Sequence, residues 1–193
     1  LHSKFDLVKK YFKYADEVLD FPISKIILEG PKEKLNLTEN TQPAIFLVGY
    51  SIFHLAKNDF GYDLNKAKFF AGHSVGEYTA LASAGVIKFE DTIKLLKLRG
   101  NAMQSAIPKG EGGMVAVLGS DLLKIENLIK EKKYKCFVAN DNSNGQLVIS
   151  GRLDELNKFI NDLKNLRIKN ITLPVSAPFH CELMNKAKVM MQP

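Results

Sequence analysis

The chain has 193 residues, 46% of them hydrophobic and 25% charged, the balance of a globular protein with room for one large core or two small ones. It holds no apolar run of about 18 residues, so no transmembrane helix is expected, and its start at Leu1-His2-Ser3-Lys4 carries no signal-peptide pattern. The net charge is +6, but the basic residues are dispersed without a block or interleaved aromatics; this argues against nucleic-acid binding and leaves a diffuse field that speeds encounter with an acidic partner.

Cys136 and Cys181 have neither metal spacing nor a disulfide framework, so a reducing compartment and no metal site are expected. Of the 27 basic residues only Arg99, Arg152 and Arg167 are arginine, and each asks for a reason.

In chain order, Leu7, Val8, Tyr11, Phe12, Ala15, Val18 and Leu19 form a helical stripe. Ile23 to Glu29 reads as a second, short helix that Gly30-Pro31 ends, and Lys32 to Asn40 reads as polar loop. Thr41-Gln42-Pro43 has the form of a helix start, with Pro43 in the first turn, where a missing N–H costs nothing. The helix that follows, Ala44 to Lys57, is apolar on most sides and should be buried. Gln42 at its entrance either faces inward or caps the turn.

Lys66 to Ala71 reads as a strand running into Gly72-His73-Ser74-Val75-Gly76, and a small-residue helix to Ala84 follows, closed by Gly85. This G-x-S-x-G turn puts Ser74 on a strand-to-helix corner. Gly72 and Gly76 would avoid Cβ collisions there, and Ala80, Ala82, Ser83 and Ala84 would let the helix press on a sheet. The helix N-terminus would offer the Val75 N–H to an oxyanion on a substrate attacked by Ser74.

Glu90 and Asp91 open a helix that runs to about Ala106, with Arg99 in its middle, either a surface charge or aimed at a cleft beside the corner. Pro108 to Gly113 is the best domain break. Beyond it the rhythm is strand Met114–Leu118, helix Leu122–Lys132, strands Cys136–Ala139 and Gln146–Ser150, helix Asp154–Leu166 and strand Asn170–Leu173, a βαββαβ unit of ferredoxin-like type. Asn140 to Gly145 reads as the hairpin turn between its middle strands. Pro174 to His180 is held extended by two prolines before a helix starting near His180 or Cys181.

Five segments in this order, T-Q-P-A at Thr41 to Ala44, G-H-S-V-G-E at Gly72 to Glu77, R-G-x-x-M-Q at Arg99 to Gln104, N-x-N-S-x-G-Q at Asn140 to Gln146 and P-V-S-x-P-F-H at Pro174 to His180, resemble the malonyl-CoA:acyl-carrier-protein transacylases. The resemblance covers about 140 residues. It implies an α/β fold: a large subdomain with a parallel sheet and an α/β-hydrolase-like nucleophile elbow over 1–110, an inserted ferredoxin-like small subdomain over 111–174, and a return to the large subdomain over 175–193. It also implies that Ser74 is acylated, that His180 is its base and that Arg99 pairs with the malonyl carboxylate. Gln42, His73, Asn140 and Asn142 join Arg99 as substrate-side candidates, although His73 would point away from Ser74 on the corner. Malonyl-CoA and acyl carrier protein are the expected partners, with the coenzyme A thioester as substrate rather than cofactor. A monomer is expected, in bacterial cytoplasm or a plastid-like organelle.

The family's Gly-Gln-Gly-Ser-Gln-like loop, which supplies a second oxyanion donor, has no match here. Its C-terminal stretch that orients the base is not reached before Pro193. The chain is therefore expected to be the middle of a longer enzyme. Two other readings stand: a serine hydrolase or thioesterase whose acid would be Asp141 or Asp154, and a non-catalytic fragment.

Overall fold

The computed structural model describes all residues except Lys109, Ser176 and Pro193, and all side chains of the others except that of Asn65. Lys109 of the Pro108–Gly113 break and Ser176 of P-V-S-x-P-F-H thus lie outside the described residues. The chain folds as two compact units, Leu1–Asn101 and Ala102–Pro193.

The first unit is helical. The stripe read from the sequence forms α1 (Asp6–Leu19), which buries Val8, Phe12 and Ala15. Asp16 of α1 accepts hydrogen bonds from the backbone N–H and the hydroxyl of Ser24, pinning α2 (Ile23–Glu29) beside it. Residues 32–40 are not all loop: α3 (Lys32–Leu35) is a single turn, and α4 (Thr38–Asn58) begins three residues before Thr41. Side chains cause the early start. Thr41 Oγ1 donates to Leu35 O at 2.6 Å and Asn40 Nδ2 donates to Lys34 O at 2.9 Å, tying the incoming carbonyls to the helix. Pro43 consequently lies inside the helix instead of in its first turn.

Nor is α4 buried all round: Phe46 and Leu47 are fully enclosed, while Ile45 and Ile52 stand about half exposed.

The strand expected over Lys66–Ala71 is absent. A 3-10 turn covers Leu64–Lys66, and residues 67–73 are irregular, with no ladder partner and with Phe69 88% exposed. A strand exists only when a neighbour takes its N–H and C=O groups, and within residues 1–101 no described segment presents an edge. The parallel sheet expected for this part is therefore not found among the described residues. The next helix, α5 (Val75–Ser83), packs on α4 instead of a sheet, with Thr79 Cγ2 3.3 Å from where a Cβ on Gly49 would lie. Its C-terminus closes through Val86 N–H to Leu81 O at 2.9 Å and Gly85 N–H to Ala82 O at 3.1 Å. Ile93 and Leu96 of α6 (Phe89–Ser105) complete this core with Phe12, Phe46 and Leu55.

The second unit holds β1 (Gly112–Leu118), α7 (Leu122–Lys132), β2 (Cys136–Ser143), β3 (Gln146–Arg152), α8 (Leu153–Asn165) and β4 (Lys169–Thr172). The sheet order is β2-β3-β1-β4, and all three pairings are antiparallel. Val115, Val117, Leu147 and Ile149 point from the sheet to Ile125, Leu156 and Phe159 of the helices. The hairpin turn is shorter than expected. Ser143 pairs with Gln146, leaving only Asn144-Gly145 as the loop, with Gly145 at a positive φ (80°) that glycine adopts without strain. Asn140 and Asn142 therefore belong to β2, where two register shifts bend the strand.

After β4 the chain returns through Ala177, which packs with Ala102, Met103, Ile107 and Met184. The last helix starts later than read from the sequence. His180 has φ 55°, which cannot begin a right-handed helix, so a 3-10 turn (Glu182–Met184) precedes α9 (Asn185–Met190).

Candidate active site

Ser74 stands at the corner between the irregular segment 67–73 and α5 with φ 53° and ψ −109°. Such a backbone costs a non-glycine residue about 1–3 kcal/mol and persists only where its surroundings impose it. Gly72 is what makes the corner possible: a Cβ there would lie 1.9 Å from Gly76 O. A Cβ on Gly76 would meet open space, so collision avoidance explains only the first of the two glycines.

At the start of α5 the Gly76 N–H donates to His73 O at 2.8 Å and the Glu77 N–H to Ser74 O at 3.1 Å. Among the described residues the Val75 N–H has no hydrogen-bond partner. The start of α5 thus leaves a backbone donor and the positive end of the helix dipole beside Ser74, where negative charge is favoured.

Arg99 reaches this corner from α6. Its Nη2 donates to Ser74 Oγ at 3.1 Å, and its Nη1 donates to Gln42 Oε1 at 2.6 Å. The reach depends on Gly100, where a Cβ would come within 2.5 Å of Glu39 Cα, so only glycine lets α6 lie this close to the first turns of α4. Gln42 is buried, facing inward, and its carbonyl fixes one arm of the guanidinium. The guanidinium also sits 5.7 Å from the centre of the Tyr78 ring. Tyr78 was not singled out from the sequence. The available signal was its spacing, since Ser74 plus four residues falls one helical turn further along the same face of α5.

Burial lowers the pKa of Arg99, opposed by Tyr78 and Glu77 nearby, yet arginine keeps its charge through any such shift. Among the described residues Arg99 has no carboxylate partner within ion-pair distance. A half-buried cation without an ion pair, fixed by a buried amide beside a strained serine, is arranged to receive an anionic group on whatever Ser74 holds.

The first unit therefore brings together Ser74, Val75, Gln42 and Arg99. His73 is exposed and takes part through its carbonyl. His180, Asn140 and Asn142 belong to the second unit: His180 is exposed at a left-handed φ, Asn140 is half-buried and Asn142 exposed. Among the described residues no cluster of His, Cys, Asp or Glu could hold a metal ion, and no helix is long and apolar enough to cross a membrane.

Residues 7–192 match the acyl transferase domain family. A curated relative, the malonyl CoA-acyl carrier protein transacylase of Haemophilus influenzae, is 38% identical over 190 residues, which are 97% of this chain and 60% of the relative. Among solved structures, the acyl-carrier-protein-S-malonyltransferase of Bartonella henselae is 38% identical with a TM-score of 0.90, covering 97% of this chain and 61% of that one. A malonyl-transacylase solved in complex with its type II PKS acyl-carrier protein is 35% identical with a TM-score of 0.91, covering 98% of this chain and 62% of that one. The chain thus spans about three fifths of the length of the relatives it matches.

Proposed function

Because the chain belongs to the acyl transferase domain family, we propose that it carries the acylation site of a malonyltransferase, moving a malonyl group from coenzyme A to the phosphopantetheine thiol of an acyl carrier protein. Ser74 attacks the thioester carbonyl and becomes malonylated. His180 takes the hydroxyl proton and returns it to the departing coenzyme A thiolate. The Val75 N–H holds the oxyanion of the tetrahedral intermediate. The carrier-protein thiol, deprotonated by the same base, then attacks malonyl-Ser74 and restores the serine. The coenzyme A thioester is a substrate, and no step calls for a cofactor.

The observation that carries this reading is the Arg99 bridge between Gln42 and Ser74. In the acyl-enzyme the Ser74 Oγ is esterified, and the Nη2 arm passes from it to the malonyl carboxylate while Gln42 keeps Nη1 fixed. A planar fork held in this way matches a carboxylate bidentately. A simple thioesterase would have no use for a cation at that position. The names of the similar proteins, each a malonyl transferase acting with acyl carrier protein, support the same substrates. We also read residues 111–174 as a ferredoxin-like insert between 1–110 and 175–193, supported by the β2-β3-β1-β4 order with two crossing helices.

The test is acid-quenched labelling with malonyl-CoA radiolabelled in its acyl group, followed by peptide mapping. Label on Ser74 that passes to added carrier protein is the expected result. Label that never reaches Ser74 refutes the reading, and label that passes only to water replaces it with a hydrolase.

A further inference from the structure

We propose that Ser150 is a positioning residue for His180, an inference that rests on reading His180 as the base. Ser150 lies on β3, where Leu147 and Ile149 point into the core under α7 and α8, so Val148 and Ser150 face the other side of the sheet. Ser150 is fully buried in an otherwise apolar run, Leu147-Val148-Ile149, where a hydroxyl without a partner would be costly. Its partner is the Phe179 carbonyl: Ser150 Oγ donates to Phe179 O at 2.6 Å.

That carbonyl belongs to the peptide whose nitrogen is His180 N. Because the peptide is planar, fixing the oxygen fixes the direction from which the His180 backbone departs. The departure needs fixing, since His180 sits at φ 55°, in the left-handed region that few residues other than glycine occupy. Two further contacts hold the same segment. Pro178 lies on Gly112 of β1, its Cδ 2.5 Å from where a Cβ would be, and Cys181 Sγ donates to Pro178 O at 3.1 Å. The Ser150 bond is the one that joins the sheet to the carbonyl immediately before the histidine. The imidazole is thereby aimed from the rigid centre of the second unit, although its own residue lies in a loop and is exposed.

The test compares the wild-type chain, Ser150→Ala, His180→Ala and the double variant in Ser74 malonylation by radiolabelled malonyl-CoA. With Ser150→Ala the labelling rate at saturating malonyl-CoA is expected to fall about five-fold, the loss of one net hydrogen bond, with the half-saturating concentration unchanged. In the His180→Ala background the same substitution is expected to change nothing further. A rate unchanged by Ser150→Ala, or an equal fall in both backgrounds, overturns the proposal. His180→Ala labelled at the wild-type rate removes the base reading, and the proposal with it, whatever Ser150→Ala does.

A second readout needs no turnover. The ¹⁵N shift of the His180 amide reports hydrogen bonding at the Phe179 carbonyl, and the imidazole Cε1–H line reports the ring. Both should move in Ser150→Ala while the resonances of α7 and α8 stay in place. Unmoved His180 lines overturn the proposal even in a chain that is not labelled.

Discussion

On the proposed reading, replacing Arg99 by alanine removes the guanidinium at the Ser74 corner that would pair with a malonyl carboxylate and has no such partner in an acetyl unit. Opposite unit charges about 4 Å apart attract by about 4 kcal/mol at an effective dielectric of about 20. Arg99 is half-buried, so part of that attraction is offset by stripping water from guanidinium and carboxylate. The Gln42 contact at 2.6 Å acts in the other direction, because the fork is already oriented before substrate arrives. A net selectivity of about 2 kcal/mol follows, or about 30-fold in the ratio of malonyl to acetyl transfer. The assay offers malonyl-CoA and acetyl-CoA in competition and reads the two acyl forms of the Ser74 peptide by mass. A ratio is preferable to a rate because Arg99→Ala also leaves the buried Gln42 carbonyl without this donor. Loss of that hydrogen bond lowers stability by about 1 kcal/mol, and partial unfolding lowers both rates alike. A malonyl-to-acetyl ratio equal to that of the wild type would refute the reasoning and remove Arg99 from substrate recognition.

Gly72→Ala would place a Cβ 1.9 Å from the Gly76 carbonyl, so the corner cannot close; Ser74 labelling should be abolished, with the melting temperature read alongside to locate the damage. Gly100→Ala forces α6 away from Glu39 and should destabilise the chain by about 1–3 kcal/mol in denaturant titration while eroding the malonyl preference. Gly145→Ala, at φ 80°, should lower stability by about 1 kcal/mol or more, with Gly145→Asn tolerated better. Burial pushes the Cys136 thiol up to about 12. The unfolded thiol ionises near 9 while the folded one keeps its proton, so the stability this group supports is intact below about pH 9. It then falls by up to about 1.4 kcal/mol per pH unit until the folded pKa is reached. Chemical denaturation from pH 8 to 11 should show that decline, and Cys136→Ala should flatten it; an unchanged slope would contradict the assignment.

Periodic segments were legible in the sequence wherever local chemistry decides. α2 and α7 occupy the residues that their apolar spacing and flanking breakers mark out, and α7 carries its own cap, the Asp121 side chain accepting from the Lys124 N–H. The start of α4 was not legible. The rule that places proline in a first turn points to Thr41, whereas the observed start follows from Thr41 and Asn40 bonding carbonyls six residues earlier in the chain. The Asn140–Gly145 stretch read as a long turn because asparagine favours turns, yet pairing with β3 drew all but Asn144-Gly145 into the ladder.

The sequence by itself determined the serine on its glycine-flanked corner, the small-residue helix that follows it and the alternation of strands and helices in the second half. Those features depend on steric and hydrogen-bonding preferences of adjacent residues. Only the tertiary structure decided that Arg99 faces Ser74 instead of solvent. A mid-helix arginine has no intrinsic preference, and its direction is set by Gly100 allowing close approach to α4 and by Gln42 waiting 57 positions earlier. The same holds for the segment before Gly72, whose apolar run is strand-like in composition. A strand is a relation between two segments, and no described segment of residues 1–101 supplies the second.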